Sequence, residues 1–276
     1  MLRCQIGRRA MQRSAAATDT NVKAGQTALS TIERALSVLN LIAATDKDDL
    51  GVSEIARELS LSKAVVHRVL ITLVANDYLQ VDPASRRYSL GPMTLVLGSA
   101  YLESLDLRSI VLPRLQDLSA RTGETATFSL RNGWSRMYVD QVTPDREIKM
   151  SVAIGKAYPL HAGSSSKSFL AFLSEEERHD YLTKTELLRL TETTIVDPVA
   201  LEQELMEIRA RGYAISNEER QAGAGSVAAP ILDRNGSPLA AISVCGPVER
   251  FKSQFETVPP LLVEVCAEIS RLFGNR

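Results

Sequence analysis

Apolar residues recur at helical spacing in two short, neighbouring stretches between residues 50 and 76. In the first stretch, which has Ser53 as its predicted N-cap, the apolar stripe consists of Val52, Ile55, Ala56 and Leu59. Ser62 is placed to cap the second stretch, whose stripe consists of Val66, Val69, Leu70, Leu73 and Val74. The pattern predicts two helices joined by a tight turn.

The opposite face of the second predicted helix is narrow and carries a single guanidinium. At about 100° per residue, this face consists of Ala64, Arg68, Ile71, Thr72 and Ala75. Such a surface can enter the major groove of DNA, which is about 12 Å wide. The alternative is that the two helices belong to any small core, since helix pairs of this spacing are common.

A short hairpin is predicted directly after the helix pair. Residues 78–81 and 88–90 form its strands, and the turn between them carries Arg86 and Arg87. Two adjacent arginines beside a groove-sized helix suit contacts with phosphates. In the alternative interpretation they are solvated loop residues. Helix pair and hairpin together predict a winged helix-turn-helix over residues 27–91.

The helix predicted over residues 28–44 has more apolar residues than one partner surface can cover. It combines Ile32, Ala35, Leu36, Val38, Leu39, Leu41, Ile42 and Ala43. We expect it to pack on the helix pair with one side and on a second subunit with the other. Burial within its own domain is the alternative.

Residues 1–26 are basic and rich in Ala, Ser and Thr. They lack the apolar core of a secretory signal. We expect a disordered basic tail, with a transit peptide as the alternative.

Beyond the hairpin, a linker helix is predicted over residues 92–106 and a second domain over residues 107–276. The apolar contacts expected for the linker are Met93, Val96, Leu97, Ala100 and Leu105. In the second domain the Asn132-Gly133 pair predicts a hairpin between strands at 125–131 and 135–142. Further strands are expected at 148–152, near Tyr158, and at 213–216, 226–232 and 239–245. Helices are expected at 107–121, 164–173, 175–182, 199–211 and 258–273, which makes this an α+β domain with an antiparallel sheet.

Composition and charge narrow the class of protein. The 276 residues are 45% hydrophobic and 24% charged, typical of a globular chain with two domains. No apolar run reaches the ~18 residues of a membrane span. Because the net charge is only -1, DNA binding would depend on local placement of cations and on avidity from an oligomer. The isolated cysteines and scattered histidines favour a reducing cytoplasm and give no metal site.

Small residues and hydroxyls crowd the predicted helix start at residues 160–167. Unpaired N–H groups and the helix dipole suit a carboxylate or phosphate there; capping by the serines themselves is the alternative. If the strand face that carries Ser226, Ser243 and Cys245 lies over this segment, a small polar pocket forms. Residues 164–167 also fit S-x-x-K, but the chain has neither S-D-N nor K-T-G, so no enzyme activity is predicted.

Several motifs in order along both domains resemble the isocitrate lyase regulator (IclR) family of bacterial transcription factors. They lie at residues 32–39, 61–68, 88–91, 159–162, 211–213, 217–219 and 241–246. The resemblance implies a winged helix-turn-helix, a linker helix and a GAF-like domain that binds a small organic effector, often a carboxylate. It also implies dimers or dimers of dimers on double-stranded operator DNA, without a cofactor.

The resemblance assigns residues to both sites. Expected at the DNA are Ser62, Lys63, Ala64, Val65, His67, Arg68, Thr72, Arg86 and Arg87. Expected at the effector are Met150, Tyr158, Ser164, Ser165, Ser216, Ala224, Ser226, Ser243 and Cys245.

Three departures from the family pattern change the expected chemistry. Ala64-Val65 replaces the Ser-Thr of many relatives, so hydroxyl contacts are lost and Val65 can touch a thymine methyl. Ser216 stands where a carboxylate is common, and Ser226 where a cysteine is common. The resulting pocket is rich in hydroxyls and suits an anion. Two other functions stay open: a sensor whose helix-turn-helix binds only protein, and a serine hydrolase.

Overall fold

A computed structural model describes residues 31–45, 47–104 and 106–274. The chain divides into two units, Met1–Leu105 and Asp106–Arg276. The predictions for the tail at residues 1–26, for residues 28–30 of the first helix, and for Cys4 lie outside the described residues.

The first unit contains helices around a small hairpin. Its helices are α1 (Thr31–Ala44), α2 (Val52–Leu59), α3 (Lys63–Ala75) and α4 (Pro92–Ser104), and its strands are β1 (Leu79–Val81) and β2 (Tyr88–Leu90). The two strands pair antiparallel, and Leu50 extends the ladder by a bridge to Tyr88. The predicted helix pair and hairpin are therefore present.

The ends of α2 and α3 are set by local hydrogen bonds. The prediction of Ser53 as the N-cap of α2 is wrong, because the helix begins at Val52 and the cap is Gly51. There the Glu54 carboxylate accepts a hydrogen bond from the Gly51 N–H at 3.0 Å, which is the half of a capping box that needs no side chain on the cap residue. Ser62 caps α3 as expected, accepting a hydrogen bond from the Val65 N–H at 3.4 Å.

Helix α1 contributes only part of its apolar surface to the core of this unit. Val38 and Ile42 are buried against residues of the other elements, among them Ile55, Val66 and Leu70. The other side of α1 is exposed: Ile32 is 73% and Leu36 55% accessible. A wide apolar stripe thus leaves one side of the helix uncovered within its own unit.

Helix α4 is also exposed along much of its apolar surface. Leu95 is 72% accessible, and Val96, Leu97 and Ala100 are exposed as well. The expectation that Val96, Leu97 and Ala100 make apolar contacts is therefore not met within this unit. Met93 is half-buried, and Leu105 lies outside the described residues.

The second unit is a six-stranded antiparallel sheet with helices. Its strands are β3 (Thr125–Asn132), β4 (Ser135–Val142), β5 (Ala157–Pro159), β6 (Ala214–Asn217), β7 (Ala224–Leu232) and β8 (Pro238–Pro247). Its helices are α5 (Asp106–Thr122), α6 (Ser164–Phe172), α7 (Glu175–Lys184), α8 (Pro198–Arg211), α9 (Val248–Phe251) and α10 (Val258–Gly274). The strand order is β5-β4-β3-β8-β7-β6, which agrees with the predicted α+β class.

The strand expected at residues 148–152 does not form. The Val152 N–H donates to the Gln141 side chain at 2.9 Å, and the Val152 carbonyl accepts from that side chain at 3.0 Å. A glutamine side chain thus satisfies the backbone groups that a neighbouring strand would otherwise pair. Beyond this segment, an isolated bridge joins Ile154 to Tyr138.

Helices α6 and α8 pack on the sheet face that carries Ser226, Ala228 and Ala241. The Ser168 hydroxyl donates to the Ala228 carbonyl at 3.1 Å. An apolar cluster joins the two helices to Tyr181 and Ala241. The start of α6 is thereby held over the polar residues of this face.

We expect Gly91→Ala to lower the free energy of unfolding by about 2 kcal/mol or more, because overpacking a rigid site is costly. A Cβ at Gly91 would lie 2.3 Å from the Asp77 carbonyl oxygen, which belongs to the backbone and cannot swing away. Thermal and denaturant unfolding followed by circular dichroism measures the loss.

The matched control is Gly98→Ala in α4, where an added Cβ meets no atom within 4 Å. It should leave stability unchanged or raise it by up to about 1 kcal/mol, since alanine favours helix. Equal stability of the two variants would contradict the conclusion that Gly91 is required by its close approach to the Asp77 carbonyl.

Candidate functional site

The exposed face of α3 is the one that the sequence predicts. Ala64, Arg68, Ile71, Thr72 and Ala75 are all exposed, whereas the opposite face, Val66, Val69, Leu70 and Leu73, is buried. The Thr72 hydroxyl donates to the Arg68 carbonyl at 3.1 Å. The burial of one face therefore leaves a slim surface with one guanidinium directed away from the core.

The start of α3 presents most of the other predicted DNA-contacting residues. Ser62, Lys63 and His67 are exposed, and Val65 is half-buried. Because the Ser62 hydroxyl accepts the Val65 N–H, it already acts as a cap. Lys63 thus adds a second cation at the exposed end of the helix.

The two arginines of the hairpin turn have different environments. Arg86 is exposed and has a left-handed backbone, with φ of 56°. Arg87 is half-buried and forms ion pairs with Asp49 and with Glu54, the latter at 2.7 Å. The interpretation of both arginines as phosphate ligands therefore does not fit Arg87, which ties the hairpin to the start of α2.

Asp49 and Glu54, the partners of Arg87, are not predicted as such in the sequence analysis. Hydrogen bonds from Lys47, the Gly51 backbone and Arg87 hold the pKa of Glu54 at about 2. The Gly51-x-x-Glu54 spacing, typical of a helix start, was the available signal. Hydrogen bonds to the carboxylates of Asp49 and Glu54 raise the pKa of the Arg87 guanidinium.

In the second unit, small polar side chains form a row across the sheet. Ser216 on β6 lies opposite Ser226 on β7, which lies opposite Cys245 on β8, which lies opposite Thr125 on β3. The row shares a face because paired residues on neighbouring strands point to the same side. Ser164, at the start of α6, reaches this row, with its Oγ 2.7 Å from the Ser226 Oγ.

A cleft opens where this row meets the start of α6. The enclosed space is about 10 Å³ and the rest is open to solvent; the walls are Arg136, Tyr138, Met150, Gly163, Ser164, Ser216, Arg220, Gln221, Ala224, Ser226 and Cys245. Most of the predicted effector residues are in this set: Met150, Ser164, Ser216, Ala224, Ser226 and Cys245. The thiol of Cys245 is protonated at neutral pH, since burial raises its pKa to about 11.

Three predicted effector residues lie outside the walls of the cleft. Ser243 is buried with its Oγ 2.6 Å from the Thr127 Oγ, and Ser165 is buried within α6. Tyr158 lies behind the wall, edge-on to Tyr138 at 5.6 Å between ring centroids. They surround the cleft without lining it.

The sequence interpretation missed the two arginines of the cleft. Arg136 is 1% exposed; its Nε donates to the Ser166 Oγ at 2.9 Å and its Nη2 to the Tyr138 Oη at 3.0 Å. Its guanidinium also lies 4.0 Å from the centroid of the Tyr138 ring, a cation–π contact. Strand alternation, which directs Arg136 and Tyr138 to the same side of β4, was the signal.

The second arginine stands beside the glycine that starts α6. The Arg220 guanidinium lies 5.0 Å from the centroid of the Tyr158 ring. Gly163 has φ of 92°, and a Cβ there would lie 3.3 Å from the Arg220 Cβ. Glycine therefore allows both the helix start and the close approach of the arginine.

Lys167 of the S-x-x-K segment is part of a buried ion-pair cluster. Its Nζ lies 2.7 Å from Glu219 and 3.1 Å from Glu204. Glu219 also accepts the Gly163 N–H at 3.3 Å. Burial raises the pKa of Glu219, although Lys167 acts in the opposite direction. Lys167 therefore forms ion pairs with two carboxylates. The Ser164 hydroxyl is hydrogen-bonded to Ser226 instead.

Among the described residues, no group of three or more His, Cys, Asp and Glu side chains is arranged to hold a metal ion. No helix in the described part of the chain is both long and apolar enough to cross a membrane. His161 is engaged instead with the Tyr181 hydroxyl at 3.1 Å and the Leu188 carbonyl at 2.9 Å.

Comparison with known proteins gives two family matches. Residues 31–83 match the IclR helix-turn-helix domain, and residues 99–271 match the family described as "Bacterial transcriptional regulator IclR C-terminal". The second match alone spans more than half of the chain.

Individual relatives cover nearly the whole chain. The HTH-type transcriptional regulator BhcR of Paracoccus denitrificans (strain Pd 1222) is 35% identical over 240 residues, covering 87% of this chain and 85% of its own. The transcriptional repressor IclR of Escherichia coli (strain K12) is 30% identical, covering 88% and 90%. The crystal structure of Thermotoga maritima IclR is 34% identical with a TM-score of 0.69, covering 88% and 98%. The chain therefore belongs to the IclR family of bacterial transcriptional regulators.

Proposed function

We propose that this protein binds operator DNA through α3 and that a small molecule in the cleft of the second unit controls its affinity for DNA. The exposed face of α3 carries the proposal, because it is slim, bears Arg68, and is backed by a fully apolar face. Binding to an operator in a bacterium would take place in the cytoplasm. Its relatives carry the names of transcriptional regulators and repressors.

Each element has a distinct part in this proposal. Helix α3 enters the major groove, with Arg68 and Lys63 as its cations. Arg86 contacts a flanking phosphate, whereas Arg87 holds the hairpin in place through Asp49 and Glu54. For the cleft to control DNA binding, the ligand must bind two arrangements of the protein with different affinity.

The chemistry of the cleft favours binding over hydrolysis. Ser164 is paired with Ser226, and Lys167 is paired with Glu219 and Glu204, so this lysine is not placed as a base for the serine. Nucleophilic catalysis needs a base within hydrogen-bond reach of the hydroxyl. We therefore propose a binding site and no catalytic residue.

The uncovered apolar sides of α1 and α4 support self-association. Ile32, Leu36, Leu95, Val96 and Tyr101 are each more than half exposed in this chain. Exposed apolar patches of this kind are typical of protein interfaces. We propose a homodimer, or a dimer of dimers, which also supplies the avidity that a chain of net charge -1 needs for DNA.

We expect Arg68→Ala to weaken binding to the operator by about 5- to 100-fold, which corresponds to the loss of one base contact. The operator is first selected with wild-type protein from random-sequence duplexes, and affinity is then measured by fluorescence anisotropy at fixed salt. Arg86→Ala should weaken all duplexes alike and lower the salt slope by about 1.

The matched control is Arg234→Ala, which removes an exposed cation from a turn of the second unit. It should leave affinity and salt slope unchanged. Unchanged affinity for Arg68→Ala would reject α3 as the recognition helix. Binding that does not weaken with salt would favour the alternative in which the helix-turn-helix contacts protein.

We expect Ser164→Leu to abolish the response to the effector while DNA binding persists, because the larger side chain fills the cleft beside Ser226. The probe is the acid that most raises the Tm of wild-type protein in a screen of small carboxylic acids. At 100 times its Kd a ligand adds about 2.7 kcal/mol of stability, which the variant should lose.

The control for the cleft is Ser237→Leu in an exposed turn, which should respond like the wild type. Calorimetry that finds normal binding of the acid to the Ser164→Leu variant would move the site elsewhere in the molecule.

We expect Leu36→Glu to weaken self-association by about 30-fold, as for a residue at the centre of an interface. Leu36 is 55% exposed on α1, so the charge should not disturb the core. Sedimentation velocity over a concentration series measures the change. Asn235→Glu, at an exposed polar position in a turn of the second unit, should associate like the wild type. An unchanged assembly for Leu36→Glu would remove α1 from the interface.

A further inference from the structure

One nitrogen of a wholly buried guanidinium in the cleft has no protein partner. Arg136 is 1% exposed, and its Nε and Nη2 are bound by Ser166 and Tyr138. Its Nη1 has no hydrogen-bond partner among the described residues. Arginine keeps its proton in proteins, and a buried charge without a counter-charge is costly. Arg136 therefore presents an unmet donor and an unmet charge.

A second guanidinium stands at the same cleft. The Cζ of Arg136 lies 4.9 Å, and that of Arg220 5.0 Å, from the centroid of the Tyr158 ring, so the two charges are within about 10 Å of each other. Burial lowers the pKa of Arg136, and repulsion by Arg220 acts in the same direction. Two like charges thus line one cleft.

The walls of the cleft hold no carboxylate that could balance these charges. Their residues are arginine, tyrosine, methionine, glycine, serine, glutamine, alanine and cysteine. Carboxylates of the surrounding elements are engaged elsewhere: Glu219 with Lys167 and the Gly163 N–H, Glu124 with Arg250, and Glu218 with the Gly223 N–H. The charges of Arg136 and Arg220 are therefore not balanced by any residue in the walls of the cleft.

We propose that the cleft binds a small dicarboxylate, with one carboxylate at Arg136 Nη1 and the other at Arg220. This inference rests on the proposed function, in which the cleft is the effector site. The hydroxyls of Ser164 and Ser226 lie in the same walls and supply further donors.

The two positive charges favour an anion that carries two negative charges. A monocarboxylate would leave one guanidinium without a counter-charge. A phosphate monoester carries both negative charges on a single group and is the competing dianion, whereas a diacid supplies one carboxylate to each arginine. A charge-assisted hydrogen bond is roughly twice as strong as a neutral one, which makes the second carboxylate decisive for affinity.

Matched pairs of acids test the proposal on the full-length protein. Isothermal titration and thermal shift compare succinate with butyrate, glutarate with pentanoate, and phthalate with benzoate, as sodium salts at constant ionic strength. We expect at least one diacid to bind, and to bind about tenfold or more tightly than its monoacid partner. Glycerol 3-phosphate serves as a dianion with both charges on one group.

Arg220→Gln provides the mutational arm, because its side chain is half-buried and carries no hydrogen bond of the core. The variant should lose the preference for the diacid by about tenfold while binding the monoacid as before. Arg234→Gln, in an exposed turn, should keep the preference. Truncation of Arg136 is avoided, since it would remove two buried hydrogen bonds.

Several outcomes would overturn the inference. They are equal or tighter binding of the monoacids, no binding by any diacid, tighter binding of glycerol 3-phosphate, and a preference that survives Arg220→Gln. Binding of a neutral molecule or a monoacid that Ser164→Leu abolishes would leave the proposed function intact. Operator binding by wild-type protein without acid, measured in parallel, reports on the DNA-binding half of that function alone.

Discussion

Helix α6 is buried along almost its whole length although half of its first eight residues are serines and one is a lysine. Buried polar groups must find partners, because an unpaired one costs as much as a lost hydrogen bond. Ser164 pairs with Ser226, Ser166 with Arg136, Lys167 with Glu219, and Ser168 with the Ala228 carbonyl. These partners come from three different segments, since Ser226 and Ala228 both belong to β7, so the helix joins them around one cleft.

The need of buried polar groups for partners is met differently at the two buried cations, Lys167 and Arg136. Lys167 is matched by two carboxylates, which makes it part of the framework. Arg136 is satisfied by a serine hydroxyl and a tyrosine hydroxyl and is left with a free Nη1. Neutral partners hold its position without balancing its charge. A ligand that supplies the missing charge is therefore favoured at the cleft.

In the first unit, ion pairs decide which arginine of the hairpin is available. Asp49 and Glu54 hold Arg87, while the Asp82 carboxylate accepts the N–H groups of Ala84 and Ser85 and shapes the turn before Arg86. The result is a rigid hairpin beside α3 with one exposed guanidinium. Local charge placement thus replaces the basic surface that the composition lacks.

The sequence by itself determined the two-unit organisation, the exposed face of α3, the antiparallel hairpin around Asn132-Gly133 and most of the serines at the cleft. These follow from the spacing of apolar residues and from turn and cap chemistry, which act over a few neighbouring positions. Tertiary structure alone decided that Arg87 is paired, that residues 148–152 are not a strand, and that Arg136 and Arg220 meet at one cleft. The reason is physical: a charge is satisfied by whatever the fold brings within about 3 Å of it, and Asp49, for example, lies 38 positions from Arg87 in the chain.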